Sequence, residues 1–287
     1  MRIGSNNFGG SLTAINNLLK ATNRLVLITQ QLATGSMLNR GSDNPVGLIA
    51  AAQISNELSA VNAASRNADN AHNMLNVTDS AMSQVSDLLR TIQGKVAEAA
   101  GGGLSDAEKQ AKQIEINAAI QGINAIGSNT SLGGQKMLNG DTITFNFSPI
   151  PNSTTKLTLP DVNSESLGGA TGKLSDLAAG GSANVVDGDL TKATQIVDSA
   201  EKQITQDRAR LGAFDKYVVG TSSAVLESMQ LNLSSSFSQI ADTDIAQSTS
   251  LLVRDKILAQ ATLQALVIVN HSRNMVLQLL GGNNGND

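Results

Sequence analysis

Residues 241–280, ADTDIAQSTSLLVRDKILAQATLQALVIVNHSRNMVLQLL, constrain this chain more than any other stretch. The segment is long, apolar and nearly free of charge. From Leu251 onward, Leu258, Ala261, Ala265, Ile268, Met275 and Leu279 follow a seven-residue repeat, with Ser272 in a gap. That spacing predicts a coiled-coil helix. Leu252, Val253, Ile257, Leu263, Leu266, Val267 and Val269 fall off that seam. A helix apolar around most of its circumference must be buried on most sides, which one partner helix cannot achieve. The fold must therefore supply several neighbours for this segment.

A shorter counterpart lies near the N-terminus. Ala14, Leu18, Ala21, Leu25, Ile28 and Leu32 form a heptad, and Gly35 is placed to stop the helix. Asp43-Asn44-Pro45 then starts the next one, with a capping side chain followed by proline in the first turn. Apolar residues recur at steps of three and four from Ile54 to Val96. Such a helix, over Pro45–Ala100, would be roughly 80 Å long. Gly101-Gly102-Gly103 ends it, and Ser105 with Glu108 marks a capping box for a third helix reaching about Ile126.

The centre changes character. Gly, Ser, Thr and Asn dominate between Gly127 and Gly188. Thr142–Phe147 and Thr155–Leu159 alternate like two short strands around SPIPNS. Asp189 caps a fourth helix. Its stripe of Ala193, Val197, Ala200, Ile204, Leu211, Phe214 and Val218 shifts phase before Val225, Met229, Leu233 and Ile240. Asp242 and Asp244 break the chain before the last helix. The expected fold class is mainly α: long antiparallel helical rods with coiled-coil packing and one small β-hairpin in the middle. The expected divisions are a 1–42 inner-core helix, a 43–140 rod segment of two helices, a 141–188 hairpin and loop, a 189–244 rod helix, and a 245–287 helix pairing with 1–42.

Composition narrows the function. Cysteine is absent, which excludes disulfides, thiolate nucleophiles and Cys-ligated metals. Aromatics are 2% of the chain, fitting thin helical cores. Residues 1–42 hold Arg2, Lys20, Arg24 and Arg40 and no acid, while 245–287 hold Arg254, Lys256 and Arg273 against Asp255 and Asp287. The middle therefore carries more than the whole net charge of −4. A basic nucleic-acid stripe is not supported. No run approaches the ~18 apolar residues of a membrane span, and no cleavable signal peptide is expected in MRIGSNNFGGSL. His72 and His271 are too far apart in sequence to suggest a metal pair, and no nucleotide-binding or hydrolase motif occurs. Asp242 and Asp244 read as caps at a joint rather than acid–base partners. No cofactor or enzymatic activity is expected.

The residues resemble a family. Leu32-Ala-Thr-Gly35, Asn39, Ser42-Asp43-Asn44-Pro45, Gly47-Leu48 and Ser65-Arg66-Asn67-Ala68 resemble the N-terminal region of bacterial flagellins. Leu132-Gly-Gly-Gln-Lys-Met-Leu138 sits where flagellins carry F-N-G-x-K-L-L, with Leu132 and Gly133 in place of Phe and Asn. Arg210–Phe214, Ile240–Asp244 and Val276–Leu280 match the C-terminal region. The resemblance implies a subunit of the flagellar filament, of a minimal type without outer domains. It implies an assembly core of Leu18, Leu25, Ile28, Leu32, Leu251, Leu258, Ile268, Met275 and Leu279. Those terminal segments would fold on assembly and be joined to the rod at Asp43, Asn44, Pro45, Asp242 and Asp244. It also implies export without a cleaved signal peptide to an extracellular homopolymer, with an export chaperone, cap and junction proteins as partners. Many flagellins carry R-x-R-E-L-A-V-Q on the long helix, read by a vertebrate innate immune receptor and used between protofilaments. Here Arg90-Thr-Ile-Gln-Gly-Lys-Val-Ala97 keeps only Arg90 and Val96 of its distinctive residues. The rival readings are a hook–filament junction protein, whose aromatic tail is missing here, and a membrane-active secretion-system translocator.

Overall fold

The computed structural model describes the backbone of residues 4–150 and 152–281. It describes the side chains of 12–150, 152–272, 274, 275 and 278. The described helices are α1 (Gly4–Thr34), α2 (Pro45–Ala100), α3 (Asp106–Asn129), α4 (Leu190–Phe214), α5 (Gly220–Ala241) and α6 (Ile245–Gly281). Helix α1 begins well before the heptad at Ala14, through a Gly/Asn-rich stretch with no apolar pattern. The chain divides into a terminal unit of Met1–Asn56 with Leu233–Asp287, and a middle unit of Glu57–Asn232.

In the middle unit, the buried face of α2 is a regular stripe. Val61, Ala64, Ala68, Ala71, Leu75, Thr78, Met82, Val85, Leu89, Ile92, Val96 and Ala99 are all buried, at alternating steps of three and four. That period keeps one narrow face turned to its neighbours along the helix. Helix α3 answers with Gln113, Ile116, Ile120, Ile123 and Gly127, and α4 with Ala193, Ile196, Val197, Ala200, Ile204 and Leu211. Polar pairs at the rims fix the directions. Lys95 bonds Glu115 at 2.6 Å and Glu98 bonds Lys112 at 2.5 Å, so α2 and α3 are antiparallel. Asp79 meets Arg208 and Gln93 meets Asp198, so α2 and α4 are antiparallel too.

Helix ends follow the local signals. The Ser105–Glu108 capping box is formed in full, and the Asp189 carboxylate accepts from Thr191 and Lys192. Gly102 and Gly103 take the left-handed backbone that stops α2, with φ of 75° and 88°. One helix is interrupted where the sequence predicted continuity over Leu190–Ile240. A π-helical turn, Asp215–Val219, separates α4 from α5. An inserted residue rotates everything beyond it by about one residue's angle, ~100°. Beyond the turn the buried side chain is Leu226, whereas Val225, expected on the stripe, is 54% exposed.

The central connection differs from one hairpin plus a loop. It holds three antiparallel pairs: β1 (Ser131–Leu132) with β2 (Gln135–Lys136), β3 (Thr142–Phe145) with β4 (Thr155–Thr158), and β5 (Gly168–Gly169) with β6 (Gly172–Lys173). In the predicted hairpin Thr142 faces Thr158 and Phe145 faces Thr155. Pro151 in its loop lies outside the described residues. Met137, Leu138, Phe145, Leu157, Leu159, Leu167, Leu174 and Leu177 from this connection are buried in the same core as α2, α3 and α4. Gly127 permits the close approach: a Cβ there would run into the Val162 carbonyl oxygen.

Candidate assembly surfaces

The terminal unit is built on α1 and α6, which pack against each other along their lengths. Their junction sets the direction. Met37 N donates to Ala241 O at 2.7 Å, Thr243 N donates to Gly35 O at 2.9 Å, and Ser36 bridges Asp242. Gly35 closes α1 with φ of 71°, the left-handed helix stop. The end of α1 thus lies beside the start of α6, and the two run antiparallel.

The residues expected at the joint make local contacts. Asn44 Oδ1 accepts from Gly47 N at 2.9 Å and caps α2, with Pro45 at its first position. Asp43 Oδ2 accepts from Arg40 N at 2.8 Å, closing the preceding turn. Asp244 Oδ1 accepts from Gln247 N at 3.0 Å and caps α6. Asp242 Oδ2 accepts from Ser238 Oγ at the end of α5. Asp242 and Asp244 are exposed and act on backbone or hydroxyl donors.

The α1 heptad forms one side of the seam. Ala21 and Ile28 are buried, and Ala14, Leu18, Leu25 and Leu32 are half-buried. On α6 the seam is not the repeat through Leu258 and Ile268. It runs through Leu252, Asp255, Ala259, Thr262, Leu266 and Val269, with Asp255 and Ala259 buried and the others half-buried. Sequence periodicity did not single this line out, because Asp255 and Thr262 interrupt its apolar character. The 3–4 spacing was nonetheless present.

That register turns other apolar residues outward. Leu258 is 46% exposed, Ile268 65% and Met275 48%, and Val253, Ile257, Leu263 and Val267 are exposed with them. Leu251 is half-buried, and the Leu279 side chain lies outside the described residues. Helix α1 likewise exposes Leu12, Ile15, Leu19, Val26 and Leu27. Each helix of the pair therefore has one face spent on its partner and a second apolar face in water. Monomeric soluble proteins rarely leave contiguous apolar area of this kind, and where it occurs it marks an interaction site.

The remaining candidates fall in the middle unit or on the surface. Arg90 is exposed, donating to Asp87 at 2.8 Å and lying 3.5 Å from Glu201, whereas Val96 is buried in the core. His72 Nδ1 lies 2.8 Å from Asp215 Oδ1 and Nε2 lies 3.0 Å from Asn76 Nδ2, so its ring is occupied by structural bonds. His271 is exposed on α6. Among the described residues no cluster of His, Cys, Asp and Glu has the grouping of a metal site. No described helix is long and apolar enough to cross a membrane.

Residues 6–142 match the bacterial flagellin N-terminal helical region, and residues 194–280 match the bacterial flagellin C-terminal helical region. A flagellin of Bacillus subtilis is 26% identical, covering 98% of this chain and 100% of its own length. A flagellar filament 31.3 kDa core protein of Treponema maltophilum is 25% identical over 88% of this chain and 90% of its own. In fold, the chain is similar to a putative flagellar hook-associated protein of Vibrio parahaemolyticus. The TM-score is 0.62 at 14% identity, over 70% of this chain and all of the other.

Proposed function

This chain belongs to the bacterial flagellin family, and on that premise we propose that it polymerises through the outer faces of α1 and α6, which become ordered when neighbouring copies cover them. Family membership supplies the coarser statement: the protein is a structural subunit of the flagellar filament. The finer reading rests on one observation. The aliphatic side chains of Leu258, Ile268 and Met275 face water while the opposite side of the same helix is committed to α1.

Burial of each such side chain against a neighbour contributes roughly 1.5–3 kcal/mol. One helix pair cannot cover both of its own outer faces, so the gain is available only between copies. The residues exposed on α1 and α6 are different sets, which fits a contact between unlike surfaces. Unlike contacts that do not close into a ring propagate as an open helix. The terminal segments then gain order at the moment of association, as other segments that fold on binding do. Asp43, Asn44, Pro45, Asp242 and Asp244 serve as the joint by capping and terminating helices where the terminal segments begin and end.

We assign the protein a non-enzymatic role in an extracellular, minimal filament, handled by an export chaperone and bounded by cap and junction proteins. The central connection supports the minimal reading, since residues 130–189 are used by short strand pairs packed on the helices. The test is Leu258→Asp and Ile268→Asp in the purified full chain, examined by electron microscopy and circular dichroism. Loss of filaments with the middle unit still helical is the expected result. Normal filaments from either variant overturn the proposal.

A further inference from the structure

We propose that Asp255 makes the pairing of α1 with α6 conditional: its buried carboxylate holds the pair of a lone chain near the point of opening, and closure becomes stable only when a second copy adds burial on the outer faces. This deepens the reading that the terminal helices order on assembly, and rests on it.

The carboxylate sits in the seam itself. The Asp255 side chain is 1% exposed, between Leu252 and Ala259 on the buried line of α6. The α1 side of the seam, from Ala14 to Leu32, is Ala, Leu and Ile throughout. The described cations of α1, Lys20 and Arg24, are exposed. The partner Asp255 does have comes from its own helix. Arg254 Nε and Nη2 donate to Oδ1 at 3.2 and 3.1 Å, both to the same oxygen. Among the described residues Oδ2 has no hydrogen-bond partner.

Adjacent helical residues do not face each other, so Arg254, itself half exposed, reaches back over the seam's margin. A fork closed on one oxygen leaves the other desolvated without compensation. Removing a carboxylate from water under such conditions costs more than one attraction returns, and apolar replacements at sites of this kind commonly stabilise. The desolvation is imposed by packing against α1 and is relieved when the helices part, so it opposes closure in the lone chain.

The rest of the molecule sharpens the contrast. Among the described residues, the buried side-chain atoms without a hydrogen bond are Asp255 Oδ2 and Thr243 Oγ1. Both belong to the terminal unit. In the middle unit the buried Thr78, Gln113, Ser164 and Asn184 side chains each have a partner. A near-balanced pair is the two-state element that a neighbour can bias, since added burial on the outer faces favours the closed form alone.

The experiment uses the full chain, dilute and monomeric, by hydrogen exchange, and then measures its critical concentration for polymerisation. Variants are Asp255→Leu, Asp255→Asn and Arg254→Ala, with middle-unit amides as the control for folding. In Asp255→Leu, protection of α1 and α6 amides in the monomer is expected to rise about tenfold or more. Asp255→Asn should rise less. Critical concentration should fall in both and rise in Arg254→Ala, which strips Oδ1 of its cover. Exchange in Asp255→Leu as free as in the unaltered chain overturns the role of Asp255 and leaves ordering on assembly intact. Terminal amides already as protected as the middle unit in the unaltered monomer overturn both.

Discussion

Arg208 holds Asp79 with both arms of its guanidinium, Nε donating to Oδ1 at 2.8 Å and Nη2 to Oδ2 at 3.2 Å. The pair ties α4 to α2, and two parallel bonds fix rotation as well as distance. The hydrogen bonds that Arg208 donates to Asp79, working against burial, raise its pKa above its ordinary value. Lysine has no second arm. Arg208→Lys should therefore destabilise the middle unit, but only by about 0.5–1 kcal/mol, because both side chains are over a third exposed. Urea denaturation at low and high salt checks this, with the loss shrinking as salt screens the pair.

Gln113 should matter more than any surface pair. Its Nε2 donates to Leu177 O at 2.7 Å and its Oε1 accepts from Val185 N at 2.8 Å, in a buried site. One amide thus fastens the segment 177–185 to α3 from both ends. Gln113→Leu fills the space but leaves a buried carbonyl and a buried N–H unpaired. The cost should be about 2–3 kcal/mol, seen in thermal denaturation, with new proteolytic cleavage near 177–188.

What was legible in the sequence follows from how each residue does its work. The α2 stripe from Val61 to Val96 could be read because nearly every third or fourth residue is apolar and the opposite face is polar. The β3–β4 pair could be read from its alternation. The pairs β1–β2 and β5–β6 could not, since two-residue strands with glycines carry no period. Gln113 was invisible because its partners stand 64 and 72 positions away. The α6 seam failed for the opposite reason. A helix apolar on all sides gives no sign of which face meets α1, and the face that does contains Asp255.

Acid should loosen the start of α3. The Glu108 carboxyl is held below the usual carboxylate range by hydrogen bonds from the Ser105 backbone and hydroxyl. A depressed folded pKa contributes stability that is present above the unfolded value and disappears as pH falls through the folded one. Glu98 shifts in the same direction, chiefly through its bond from Lys112. Asp207 runs the other way, pushed up by burial with Arg210 partly opposing, so its contribution favours the acid side. Glu108→Gln should therefore flatten the acid limb of a stability–pH curve below the ordinary carboxylate range and leave the neutral plateau close to that of a simple cap loss. An unchanged acid limb would remove Glu108 from the account.

The segment Arg90–Ala97 should be a poor ligand for the innate immune receptor that reads its counterpart in many flagellins. Recognition of a helix face requires side chains that stand out from it. Of the two distinctive residues retained, Val96 is 1% exposed and belongs to the core shared with α3 and α4. Arg90 does stand out, but its guanidinium is already engaged by Asp87 and near Glu201, so a partner must displace those carboxylates to reach it. Gln93 is occupied by Asp198 at 2.8 Å, and Lys95 by Glu115. Position 94 is glycine and offers no side chain. A segment whose two cations, Arg90 and Lys95, are already paired, and which has neither the glutamate nor the leucine of the family run, lacks the clustered anchors that dominate binding energy. Purified monomer should therefore signal weakly in a receptor reporter cell line. Full potency there would mean that the receptor reads a surface of this chain other than Arg90 and its neighbours.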